Sequence, residues 1–202
     1  MDRRWIDAEH IDEQFAYGDF ADRELTNCRF TSCSFHGSDF GNALTTDCHF
    51  ISCDFGSTRL TASRHEGSAF TNCSFRMARM FNAEFIGCKM VGSSFVEADL
   101  TALAISGGDW SFVMLRFHDL SGRNLRGVRF AEADLGECNL VKVDFRDADL
   151  TRANLQNARL TKADFRGATL DGIDLSALEL REVRLDVSQA ILLARAHGAV
   201  VE

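Results

Sequence analysis

The sequence predicts a single repeat solenoid, and two observations predict it. Counting in fives from Phe15 visits Phe20, Leu25, Phe30, Phe35 and Phe40 and holds its frame to Leu185. Of the 35 positions visited, 33 are Phe, Leu, Met, Ile or Trp, the exceptions being Thr45 and His65. A second position rides on the first, since two residues earlier come small side chains such as Cys28, Cys33, Ser38, Ala43, Cys48 and Cys53 early in the chain and Ala148, Ala153, Ala158, Ala163 and Ala168 late. An amphipathic helix repeats its apolar face at about 3.6 residues and a half-buried strand at about 2, so a period of five fits neither. Each unit reads small, polar, large apolar, polar, polar. A lone turn of such units buries too little apolar surface to offset the ordering of its backbone, so the units must stack.

Taken in order, residues 1–14 carry Trp5 and His10 in the same count without the small partner, and are expected to cap the open end of the stack. Residues 15–187 form the repeat body. Its first part, to Leu100, is rich in Phe, Cys and Ser; from Leu120 to Leu185 it is rich in Leu and Ala. Between them, residues 101–118 are irregular: Leu103 is large for a small position, Gly107 and Gly108 adjoin, and Phe112 and Phe117 fall where side chains point outward. Either a loop or bulge swings out there, or an apolar patch is displayed. Residues 188–202 change character. Ser188 or Asp186 can cap a short helix with Ala and Leu inside and Gly198 as its stop. Ile191, Leu192, Leu193 and Ala194 spread apolar groups around much of that helix. Covering one coil end leaves some exposed, and a symmetric dimer that also uses Val200 and Val201 buries the rest; the alternative is a monomeric cap.

The bulk numbers bound the function. At 202 residues the chain suits one domain or two, the unbroken frame from Phe15 to Leu185 argues for one, and no apolar run approaches the about 18 residues of a membrane span. No charged-then-apolar leader opens the sequence, and a cytoplasmic protein is expected. The net charge is −8, with 15 acidic against 9 basic residues in 1–100 and 15 against 13 in 101–202. That balance argues against direct nucleic-acid binding through a basic face. It suits a basic partner, or ordinary solubility charge.

Chemistry is hard to find in the chain. All seven cysteines, Cys28, Cys33, Cys48, Cys53, Cys73, Cys88 and Cys138, occupy the small position, so their spacing follows the repeat and reads as packing rather than as a zinc site. His65 sits at a core position and His118 at a small one, which suits neutral, hydrogen-bonded rings better than catalysts. No nucleophile elbow, phosphate-binding glycine loop, HExxH or EF-hand pattern is present. The expectation is a non-enzyme with no catalytic residue, cofactor or metal.

Ala-Asp-Leu at Ala98, Ala133 and Ala148 and Ala-Asn-Leu at Ala153, set in this frame, resemble the A(D/N)LXX unit of pentapeptide-repeat proteins, over roughly residues 11 to 187. The resemblance implies an all-β fold, a right-handed quadrilateral β-helix with about four pentapeptides per coil, here followed by the short C-terminal α-helix. With coils of that size, Cys28 lies under Cys48, and Cys33 under Cys53 under Cys73, close enough for disulfides that a reducing compartment leaves unformed.

In such a solid stack the exterior must carry function. Sorting by coil puts Asp19, Asp39, Asp99 and Asp119 on one face, with Arg59 and Arg79 interrupting. Asp134 and Glu137 lie on a second face, and Arg126, Arg146 and Arg166 align on a third. Two readings stay open. Carboxylates recurring about every 5 Å approach the charge spacing of duplex DNA, or they simply pair with arginines across coils as a solvated surface. Met77, Phe81, Phe112, Met114 and Phe117 form a candidate apolar patch instead.

The segment from Arg64 to Phe75, RHEGSAFTNCSF, and the tail from Asp186 to Gly198 resemble the fluoroquinolone-resistance pentapeptide proteins, of the mycobacterial MfpA type above all and the plasmid Qnr type more distantly. This resemblance implies a homodimeric DNA mimic that binds DNA gyrase, modulates its activity and protects it from fluoroquinolones. The candidate contacts are Asp19, Asp39, Asp99, Asp119, Asp134 and Glu137. The projecting loops of some Qnr proteins have no obvious counterpart here, so the faces are the better candidates.

Overall fold

The computed structural model describes residues 3–201. Its contacts divide these residues into two units, one running to Met114 and the other starting at Leu115.

The first unit contains ten strands of three residues: β1 Arg4–Ile6, β2 Glu9–Ile11, β3 Glu24–Thr26, β4 Arg29–Thr31, β5 Leu44–Thr46, β6 His49–Ile51, β7 Arg64–Glu66, β8 Ala69–Thr71, β9 Glu84–Ile86 and β10 Ala104–Ser106. They form two parallel sheets, β1-β3-β5-β7-β9-β10 and β2-β4-β6-β8. Every pairing joins a residue to the one 20 positions on, as in Trp5 with Leu25, Leu25 with Thr45 and Thr45 with His65. Two further ladders of single bridges complete the coil, Gln14 through Ser34, Asp54, Ser74 and Ser94 to Met114, and Asp19 through Asp39, Arg59 and Arg79 to Asp99. The count of five thus assigns one repeat to each of four faces. A slip of one residue would turn the phenylalanines outward, so burial enforces the register.

Within the segment 1–14 expected to cap the stack, β1 and β2 pair in register with β3 and β4. The phenylalanines stack in columns: Phe30 on Phe50 at 4.9 Å and Phe50 on Phe70 at 4.7 Å, with interplanar angles of 4° and 7°. That separation is the spacing of neighbouring strands, so each column continues the backbone ladder into the core.

The corners explain the rest of the repeat. From Asp7 to Gly172 the second residue after each inward position takes positive φ, as at Asp7, Asn27, Gly37, Asn42 and Gly67. Glycine, asparagine and aspartate visit this region most easily. On two faces of the first unit the turn closes with an N–H to C=O bond three residues back, as from Ser38 to Phe35 and from Ala43 to Phe40, both at 3.0 Å. The other two faces carry the strands. There the carbonyl of the central residue accepts from the small side chain one coil later: Cys28 Sγ donates to Trp5 O at 3.4 Å, Cys48 to Leu25 O at 3.3 Å, Cys73 to Phe50 O at 3.4 Å and Cys88 to His65 O at 3.2 Å. The first unit's six cysteines all follow strands and are buried free thiols. They are packing residues, as expected, but they also donate to buried carbonyls.

The second unit has no three-residue strands among its described residues and uses the closed turn on all four faces, from Leu115–His118 to Phe165–Ala168. Its turns satisfy the central carbonyl with backbone N–H, so alanine suffices at the small position, at Ala148, Ala153, Ala158 and Ala163. The change from a Phe/Cys-rich to a Leu/Ala-rich sequence therefore tracks a change of corner type.

The irregular residues keep the frame. Leu103, Ile105, Trp110 and Val113 are buried in the first unit, and Leu115 in the second. No loop projects. Gly108 takes φ +89, and a Cβ there would collide with the backbone of Cys88, so the doubled glycine is a packing requirement.

Among the described residues the second unit ends in a 3-10 turn, Leu175–Ala177, and a helix, α1 Val187–Ala196. Asp186 is the N-cap and Gln189 completes a reciprocal capping box. The Gln189 side chain is buried, and its Nε2 also donates to Phe165 O at 2.6 Å and Ala168 O at 2.7 Å. One amide thus caps the helix and pins it to the last coil. No helix among the described residues is long and apolar enough to cross a membrane.

Candidate partner-binding surfaces

The residue before each large apolar one forms the bridge between coils and faces outward. Where it is aspartate, one carboxylate oxygen accepts the backbone N–H two residues on. The distances are 3.1 Å for Asp19 and Ala21, 2.8 Å for Asp39 and Gly41, 3.0 Å for Asp99 and Thr101, 2.9 Å for Asp119 and Ser121, and 3.0 Å for Asp134 and Gly136. Asn124 and Asn154 accept in the same way. Asp and Asn recur here because each offers this acceptor to the turn. The bond also fixes the direction in which the carboxylate points. Thr101, through its hydroxyl and N–H, holds the Asp99 carboxyl below its usual range, and Ser121 does the same for Asp119, so both are ionised at neutral pH.

Asp19, Asp39 and Asp99 share one ladder of the first unit, with Arg59 and Arg79 between them. Arg59 forms an ion pair with Asp39. In the second unit Asp119 bridges to Asn139 and Asp134 to Asn154, on different ladders. Glu137 sits at a corner and pairs with Arg116 at 2.6 Å. Asp19, Asp99, Asp119 and Glu137 are exposed; Asp39 and Asp134 are half-buried. The aligned arginines act differently from one another. Arg146 and Arg166 clasp the carboxylates two residues back, Nη2 to Oδ2 at 2.6 Å in both, while Arg126 reaches Asp147 across coils at 2.7 Å.

Of the apolar candidates in the first unit, Met77 is 53% exposed, Phe81 51%, Phe112 52% and Met114 46%. Met114 continues the ladder of Ser74 and Ser94, and Phe112 and Met77 occupy the two corners that flank that face. Val96, which sequence reasoning passed over, lies exposed on the same face one coil before Met114; its place one residue after Phe95 was the available signal. Phe81 is on another face. Phe117, in the second unit, is 69% exposed. Met77, Phe112 and Phe117 hold φ of 58, 59 and 69, where bulky side chains are strained.

On α1, Ile191, Leu193 and Ala194 are half-buried and Leu192 is 38% exposed; beyond it Val200 is exposed and Val201 half-buried. Leu178, Leu180 and Leu185 at the end of the coils are half-buried too. His118 is half-buried. His65 is fully enclosed, and burial pushes its pKa down to about 3. Among the described residues no group of three or more His, Cys, Asp or Glu is placed to hold a metal ion.

The family model for pentapeptide repeats matches residues 115–152 and 138–176, in eight copies. No curated protein matches the chain. Among solved structures, trypsin-treated QnrB1, a plasmid-mediated fluoroquinolone resistance protein, is similar at 20% identity, covering 98% of this chain and 100% of that chain with a TM-score of 0.86. A second trypsin-treated form gives a TM-score of 0.80 at 20% identity, covering 96% and 99% of the two chains. Full-length QnrB1 gives 0.64 at 21% identity, covering 97% and 100%. At these identities the likeness establishes the fold, a parallel β-solenoid of pentapeptide repeats.

Proposed function

From this solenoid of pentapeptide repeats, we propose that the chain is a cytoplasmic DNA mimic that binds DNA gyrase, modulates its activity and confers protection from fluoroquinolones. The observation that carries the reading is the orientation of its exterior carboxylates. Asp19, Asp99 and Asp119 each give one oxygen to a turn N–H, which orients an exposed carboxylate. Oriented charges need no reorganisation on binding, and rows of them offer a DNA-binding protein what a phosphate backbone offers. That QnrB1, on the same fold, is a fluoroquinolone resistance protein supports the choice of partner. The arginines within the Asp19 ladder confine the mimicry to particular stretches, with Asp99 and Asp119 the leading contacts. The protein works as a homodimer joined through Ile191, Leu192, Leu193, Ala194, Val200 and Val201.

Titration of each gyrase subunit with the protein across a salt series tests this reading. Binding that weakens as salt rises, and that is lost on changing Asp99→Lys and Asp119→Lys, is expected; affinity indifferent to both removes the mimic.

One observation favours a second reading, in which the chain is a scaffold for an apolar partner. Met77 and Phe112 are bulky, strained and half-exposed at corners where Gly, Asn or Asp would sit more easily. Salt-independent binding lost on Phe112→Asn is its signature.

A further inference from the structure

One depression on the second unit runs against the charge of the whole chain. Lys142, Arg146, Lys162, Arg166 and Arg184 line it, five cations against the three carboxylates of Asp144, Asp164 and Glu182, in a protein of net charge −8. The repeat places these cations in ranks. Lys142 and Lys162 occupy equivalent corners one coil apart, and so do Arg146 and Arg166 on the face beside them, at a strand spacing of about 4.8 Å.

The carboxylates inside the groove are already engaged, and they position the cations. Asp144 and Asp164 each hold an arginine through Nε at 2.9 Å and Nη2 at 2.6 Å. Those two-point clasps leave Nη1 outside the pair and fix the guanidinium plane. Arg184 lies 3.8 Å from Asp164, whose oxygens Arg166 already occupies, and Glu182 takes Lys162 at 3.4 Å. The excess positive charge therefore rests with Lys142 and Arg184 at the groove's margins.

We propose that this groove receives a short acidic peptide segment of a protein partner. Its carboxylates meet the outward N–H groups of Arg146 and Arg166 and the ammonium and guanidinium of Lys142 and Arg184. Planar guanidinium suits carboxylate, and a guanidinium already held in place loses little freedom on accepting a second one. A long nucleic acid fits worse. Its affinity comes from neutralising many phosphates, whereas this protein as a whole is acidic, with net charge −8. This inference is independent of gyrase binding, which uses the acidic ladders.

The test is fluorescence anisotropy of a labelled octaglutamate peptide with the full chain at low salt, with oligothymidylate as competitor. Binding is expected, weakened about tenfold or more by Lys142→Glu with Arg184→Glu, at an unchanged melting temperature. Should that double variant unfold, Lys142→Ala provides the milder comparison. No binding at low salt, affinity unaltered by the substitutions, or displacement by oligothymidylate at lower concentration than by unlabelled peptide overturns the proposal.

Discussion

Thr45 Oγ1 lies 2.8 Å from Nδ1 of His65, one coil away on the same face. These are the two residues that break the count of large apolar side chains, and they break it together. The ring's other nitrogen meets Ser63 Oγ at 3.0 Å, and Thr45 also contacts Ser68 Oγ at 3.1 Å. A polar pair is thus satisfied inside an apolar column, where His65 without Thr45 would carry an unpaired ring nitrogen.

That pairing sets a pH dependence. Burial lowers the His65 pKa to about 3 from an unfolded value near 6.5. Below the unfolded value, the unfolded chain binds a proton that the folded chain refuses. Stability is therefore full above pH 6.5 and falls by about 1.4 kcal/mol per unit as pH drops towards 3. Urea titrations at pH 7 and at about pH 5 should show this loss in the parent and a smaller one in His65→Phe, since the carboxylates protonate lower still.

The thiol donors can be weighed against packing. Cys48→Ala leaves Leu25 O without its Sγ partner and should cost about 1–3 kcal/mol. Cys48→Ser keeps a donor in nearly the same place and should cost less. Denaturant midpoints that rank the two the other way would make the thiol a space-filler alone.

Charge can be separated from turn chemistry on the acidic ladders. Asp99→Asn and Asp119→Asn keep the oxygen that accepts from Thr101 and Ser121 and remove the charge. Melting temperatures should stay within a few degrees of the parent, a change of under about 0.5 kcal/mol, while gyrase binding weakens as it does with lysine.

Gln189 is the pin of the terminal helix. Gln189→Ala removes both bonds to the last coil and should cost about 2 kcal/mol or more, with faster hydrogen exchange confined to α1 and the coil it covers. Leu192→Asp with Leu193→Asp should instead leave a folded monomer in sedimentation, since those side chains are not fully covered.

Strain at the outward aromatics gives a prediction of opposite sign. Phe112 holds φ 59 at a position where Asn sits easily, so Phe112→Asn should raise stability by up to about 1 kcal/mol. Thermal melting checks it, and loss of any apolar partner in the same variant would mark a residue kept for binding.

The solenoid was legible because one side chain in five must be large and apolar, and no other architecture tolerates that period. Corner type was not legible, although six of the seven cysteines follow strands and Cys138 alone sits in a closed turn. The direction of the carboxylates also escaped sequence reasoning. Asp99 and Glu137 look alike as charges, yet one is held by its own turn and the other by Arg116. The docking of α1 was half-visible: Asp186 and Gln189 spell a capping box, but the same glutamine's second task depends on where Phe165 and Ala168 leave their carbonyls.

Because every ladder in the first unit joins residues 20 apart, length there is quantised. Excising a whole coil, residues 44–63 for example, would return each later side chain to the face it occupied and shorten the stack by one storey. Excising a single repeat would carry every downstream residue round to the next wall, exchanging thiol corners for closed ones and moving Asp99 to a different side. Evolution can therefore lengthen or trim such a chain cheaply only in full circuits, and a missing quarter of a circuit is felt all the way along the unit.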